Sequence, residues 1–107
     1  MKTKMEIKKE QLIRMIAYKS GINYDKVRNM YNVAENEIKN LLAKANENQD
    51  VYVKIFTGIT LHSEFIPEKE QINNLTNKMI ITKSKIKVKA NITNKYREKL
   101  IEYSKLN

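Results

Sequence analysis

The ten residues Thr82–Asn91, TKSKIKVKAN, place Lys83, Lys85, Lys87 and Lys89 at every second position, with Ser84, Ile86, Val88 and Ala90 between them. Alternation of period two is the pattern of a strand, whose successive side chains point to opposite faces of a sheet. The stretch therefore predicts one face bearing four ammonium groups and another bearing small or apolar side chains. Two accounts of the charged face compete. Lysines on an exposed edge strand discourage pairing with a second sheet, whereas a row of like charges held on one face also suits a polyanion.

Working outward, the segment before the lysine row is "PEKEQINNLTNK", mostly polar with Asn73 and Asn74 at its centre. A polar stretch of this length between two strand-like segments predicts a loop or a protruding two-stranded arm. Before it, "VYVKIF" alternates Val51, Val53 and Ile55 against Tyr52, Lys54 and Phe56, and Thr57-Gly58 predicts a turn into "ITLHSEFI". Earlier still, Leu12, Ile13, Ile16 and Ala17 recur at helical spacing between Ile7 and Lys19, and Gly21 stands where a helix takes its left-handed exit. Asn23 is a suitable N-cap and Asp25 complements the dipole of a second helix. Val27, Met30, Tyr31, Ala34, Ile38, Leu41, Leu42 and Ala45 mark that helix's apolar face, which is read as core. After the lysine row, Thr93 or Asn94 caps a last helix with Tyr96, Leu100, Ile101 and Tyr103 inward. The order is helix, helix, strand, strand, arm, strand, helix, with no internal repeat.

The chain has 107 residues, 41% hydrophobic and 31% charged, which fits one folded domain whose modest core a partner subunit would help to complete. The absence of cysteine excludes disulfides, Cys-ligated zinc and thiol catalysis. No apolar run approaches the length of a membrane span, and "MKTKMEIKKE" lacks the apolar core of a signal peptide, so a soluble, cytosolic chain is expected. The formal charge of +9 sits at the two ends: residues 1–20 carry six Lys/Arg and two Glu, and residues 76–107 carry nine and two. That distribution predicts a polyanion-facing surface, nucleic acid being the commonest partner.

Three blocks together resemble the HU and integration host factor family of bacterial DNA-bending proteins. "IKKEQLIRMIAYKSGINYDKV" is similar to its first helix, glycine turn and capped second helix. "VYVKIFTGITLHSEF" lies where its central hairpin would be, and "MIITKSKIKVKANITNKYREKL" is similar to its return strand and terminal helix, including the pair Ser84-Lys85. The resemblance implies an α+β fold over residues 1–107: a helical dimerisation body at 1–48, strands one and two at 51–66, an arm at 67–78, a return strand at 79–92 and a C-terminal helix at 93–107. It also implies an intertwined homo- or heterodimer whose strands form a saddle and whose arms reach around the DNA minor groove. Double-stranded DNA would then be the partner, contacted without sequence preference by Lys83, Lys85, Lys87, Lys89, Lys95 and Arg97, in a nucleoid-associated protein. Lys8, Lys9 and Arg14 would assist, although Lys8 and Lys9 read better as a solvated helix surface.

The arm departs from the family pattern. Glu68 and Glu70 cancel Lys69 and Lys78, the only proline, Pro67, stands at the arm's start, and the tip reads Ile72, Asn73, Asn74, Leu75 where the family has Arg-Asn-Pro. A neutral, amide-rich arm suits contact with another protein. The alternative expectation is therefore a structural protein of a tailed-phage virion, such as a ring component between portal and tail, that reuses the fold and binds other virion proteins. Catalysis is not expected: His62 is the only histidine, and the sequence holds no nucleophile-base pair, no glycine-rich phosphate loop and no metal-ligand spacing. No cofactor, metal, membrane or small-molecule substrate is expected either.

Overall fold

A computed structural model describes residues 2–106, with the element order α1 (Lys9–Ser20), α2 (Tyr24–Leu42), β1 (Val51–Phe56), β2 (Ile59–Ile66), β3 (Lys69–Asn73), β4 (Lys78–Thr82), β5 (Lys85–Ile92) and α3 (Asn94–Leu106). The architecture is α+β. The chain divides into two compact units, one up to Ile38 and one from Lys39 onward.

In the first unit, local chemistry sets the helix ends. The Gln11 side-chain oxygen accepts the Lys8 amide at 2.9 Å at the start of α1. At its end Gly21 takes the left-handed conformation, φ +71°, and its N–H donates to the Ala17 carbonyl. The Asn23 side chain then accepts the Asp25 amide at 2.9 Å, opening α2. Ile13 and Ala17, one turn apart, pack with Val27, and Tyr24 and Tyr31 partly cover them. Around this cluster Lys9 pairs with Glu35 at 3.1 Å and Glu10 receives the Tyr24 hydroxyl. The apolar stripes read from the sequence are thus only partly buried: Leu12, Ile16 and Met30 lie exposed on the described chain. A two-helix layer has just one mutual face to bury, so the flanks of each stripe stay outside it.

In the second unit, β1, β2 and β5 form an antiparallel sheet with β2 in the centre. Gly58, φ +98°, makes the β1–β2 turn, and its carbonyl accepts the Thr93 amide at 2.9 Å. Thr93 is the cap of α3, its hydroxyl accepting the Tyr96 amide at 3.2 Å. Ser63 is fully buried and its hydroxyl donates to the Leu42 carbonyl at 2.8 Å, satisfying one of the carbonyls left over at the end of α2.

The lysine stretch does not run as one strand. β4 ends at Thr82, opposite Lys69, and β5 begins at Lys85, opposite Ile66, so Lys83 and Ser84 face Pro67 and Glu68 outside both ladders. Proline has no amide hydrogen to give to a ladder, and the pairing is interrupted at its position. The return segment expected over 79–92 is therefore two strands, one belonging to the arm and one to the sheet.

Candidate nucleic-acid interface

Residues directly opposite in an antiparallel pair share a face. The β2–β5 register sets Lys85 against Ile66, Lys87 against Glu64, Lys89 against His62 and Asn91 against Thr60. The β1–β2 register extends this face to Tyr52, opposite His62, and Lys54, opposite Thr60. Lysines two positions apart on a strand stand about 6.8 Å apart. The reverse face carries Ile59, Leu61, Ser63 and Phe65 of β2 with Ile86, Val88, Ala90 and Ile92 of β5. One side of the sheet is cationic and the other apolar, and a one-residue slip would turn the lysines onto the apolar side.

Of the expected contact residues, Lys85, Lys87 and Lys89 come together on this face. Lys83 lies in the break beside the arm, and Lys95 and Arg97 are exposed in the first turns of α3 rather than on the sheet. Lys95 borders an apolar groove lined by Thr57, Gly58, Tyr96, Leu100 and Tyr103. Sequence reasoning missed that Tyr52, Lys54 and His62 join the lysine face. The alternation in "VYVKIF" marks Tyr52 and Lys54 as one side of a strand, but their meeting with His62 depends on a register that no single segment encodes.

His62 is fixed rather than free: its Nε2 lies 2.9 Å from Asp50 Oδ2, and its ring stacks on Tyr52. Among the described residues, no group of His, Cys, Asp and Glu could hold a metal ion, and no helix is long and apolar enough to cross a membrane.

The arm is a two-stranded hairpin pairing Lys69 with Thr82 through Asn73 with Lys78. Asn73 organises its tip: the side chain accepts the Leu75 amide at 3.0 Å and the carbonyl accepts the Asn77 amide at 2.7 Å, while Asn77 takes φ +52°. Leu75 is left 94% exposed. Ile72, Met79 and Ile81 share one face with Glu70, and the expected arm contacts Asn73 and Asn74 stand at the strand end and in the turn.

The sequence profile of the family described as bacterial DNA-binding protein matches residues 7–100. The chain belongs to this family, the HU family. It is a family of architectural DNA-binding proteins rather than of enzymes. Eight solved chains match the HU-family chain in fold. One is the Anabaena HU–DNA cocrystal structure, with a TM-score of 0.62 and 16% sequence identity over 88% of this chain and 97% of that one. No curated protein sequence matches. The family resemblance expected from the three sequence blocks, and the α+β order of two helices, antiparallel strands and a final helix, are both borne out.

Proposed function

We propose that this protein is an architectural DNA-binding protein of the HU class, contacting the phosphates of double-stranded DNA without sequence preference through Lys85, Lys87 and Lys89. The observation that carries the reading is the two-sidedness of β5, lysines on one face and Ile86, Val88, Ala90 and Ile92 on the other. Lys54 on β1 enlarges the cationic face, and Lys83, Lys95 and Arg97 are outlying contributors at the arm base and on α3. The structural neighbour was crystallised with DNA, which supports the same partner here. The exposed apolar face of β5 supports a dimer in which a second subunit covers it.

A salt series on duplex DNA tests this. Each phosphate neutralised contributes about 0.9 to the slope of log affinity against log salt. Replacing Lys85, Lys87 and Lys89 by Gln is expected to lower that slope by about 2 to 3 and to weaken binding sharply, with the helical signal retained. Unchanged affinity and slope would remove the sheet face from the DNA reading.

The second reading is the assembly protein of a tailed-phage virion, favoured by the arm. Its charges cancel, and Ile72, Met79 and Ile81 line one face below the exposed Leu75. A hairpin face that sets these apolar side chains beside the Glu70 carboxylate gains little from phosphate and more from another protein chain. If the arm serves protein contacts, Ile72→Ser with Leu75→Ser leaves DNA affinity unchanged and abolishes assembly into rings without DNA. If the arm serves DNA, the same variant loses DNA bending, with Leu75 acting as an apolar wedge.

A further inference from the structure

Across the cationic face one row of the sheet reads Lys89, His62, Tyr52, from β5 through β2 to β1. The Tyr52 and His62 rings lie parallel, with an interplanar angle of 4° and centroids 4.3 Å apart. Asp50 holds the imidazole at 2.9 Å, and the His62 side chain is only 18% exposed. Tyr52 differs: it is 63% exposed and stands on β1, which pairs with β2 alone. One face of its ring is therefore taken by the histidine, and the other is turned beyond the last strand of the sheet. Lys54, two residues along on the same face, and Lys89, across His62, place an ammonium group to either side of this aromatic ledge.

We propose that Tyr52 is a stacking platform for an unpaired nucleobase, so that the cationic face binds single-stranded nucleic acid by adding a base to the Tyr52–His62 stack while Lys54 and Lys89 meet its phosphates. Aromatic platforms within basic surfaces take bases of any identity, because every base has a π-face. The inference rests on the nucleic-acid reading above and adds a ligand form to it. A base inside an intact duplex has both faces covered by its neighbours, so only a base outside the helix can use the ledge. The Asp50 contact prevents the imidazole from turning away, and the platform is ordered before a strand arrives. A cross-strand pair that served the sheet alone would also stack, but it would not distinguish single strands from duplex.

The test uses the full chain and measures fluorescence anisotropy on a labelled oligothymidylate and on a duplex of equal length. Tyr52→Leu is expected to weaken binding to the single strand by about tenfold or more and binding to the duplex far less, with Tyr52→Phe behaving as wild type. Equal losses on both ligands, no loss on either, or wild-type protein that binds duplex but not the single strand would each overturn the platform while leaving the duplex reading intact. Single-strand binding that depends on Tyr52, without duplex binding, would sink the duplex reading and keep the platform; binding to neither would remove both. Photocrosslinking of wild-type protein to a bromodeoxyuridine-substituted oligonucleotide tests the placement without any variant. Crosslinks are expected at Tyr52, and crosslinks confined to other residues would overturn it.

Discussion

Gly58 and Gly21 both carry positive φ, but their surroundings differ. A Cβ on Gly58 would stand 2.9 Å from both the Thr93 hydroxyl oxygen and the Tyr96 Cβ, whereas one on Gly21 meets nothing within 4 Å. Strain in the left-handed region costs on the order of 1–3 kcal/mol for other residues, and at Gly58 crowding against the α3 cap adds to it. Urea unfolding should therefore find Gly58→Ala costing about 3 kcal/mol and Gly21→Ala about 1 kcal/mol. Equal costs would mean that the β1–β2 turn and the α3 cap yield to each other more easily than the contacts suggest. A second residue-scale effect depends on pH. The hydrogen bond from the Tyr24 hydroxyl holds the Glu10 carboxyl below the usual carboxylate range; desolvation opposes this, and Arg28, Lys9 and Arg14 reinforce it. A carboxylate with a depressed folded-state pKa adds stability that is present above its unfolded pKa and lost as pH falls through the folded one. Tyr24→Phe is expected to raise the Glu10 pKa followed by NMR, and the stability gap between wild type and variant should close on acidification. A gap that widened toward acid would contradict the assignment.

Among the elements, the contact between the end of α2 and the middle of β2 rests on Ser63, the one polar side chain among the described residues that is buried. Its hydroxyl satisfies the Leu42 carbonyl. Ser63→Ala leaves that carbonyl without its donor in a closed site, and denaturant unfolding should show a loss of about 1–2 kcal/mol. A neutral result would mean that water replaces the hydroxyl. Ser63 also marks the limit of what the sequence discloses. Gly21, Asn23 and Thr93 are legible because each bonds a backbone group within a few residues of itself, and the alternation of lysines is legible because a strand's period is local. The Ser63 bond spans 21 residues, and the Tyr52–His62 stack depends on how two strands align. The break at Lys83–Ser84 is not legible in its own segment for the same reason: it faces Pro67, which lies between β2 and β3. Lys83 keeps the parity of the row in sequence but lies outside the ladder that would fix it on the face.

At the scale of the whole molecule, the described residues bury few apolar side chains for a chain of this length: Ile13, Ala17 and Val27 in the first unit, and Ala45 in the second. Meanwhile Ile86, Val88 and Ile92 on the apolar face of β5 are 40%, 49% and 40% exposed. Covering the exposed half of such a side chain contributes about 1 kcal/mol, and the Leu61 and Phe65 side chains beside them would gain further contacts. A domain with so small a core is not expected to be stable alone, so folding and association should be one process. The thermal midpoint is then expected to rise with protein concentration, with sedimentation reporting a dimer at every concentration where the chain is folded. Val88→Asp, which sets a charge on the apolar face, should abolish both dimer and cooperative unfolding, because an unpaired carboxylate there costs several kcal/mol if buried. Lys87→Gln, one residue away on the opposite face, should leave midpoint and mass unchanged while lowering the salt slope for DNA. A folded monomer with a concentration-independent midpoint would place the cover of β5 within the chain itself and end the argument for a partner.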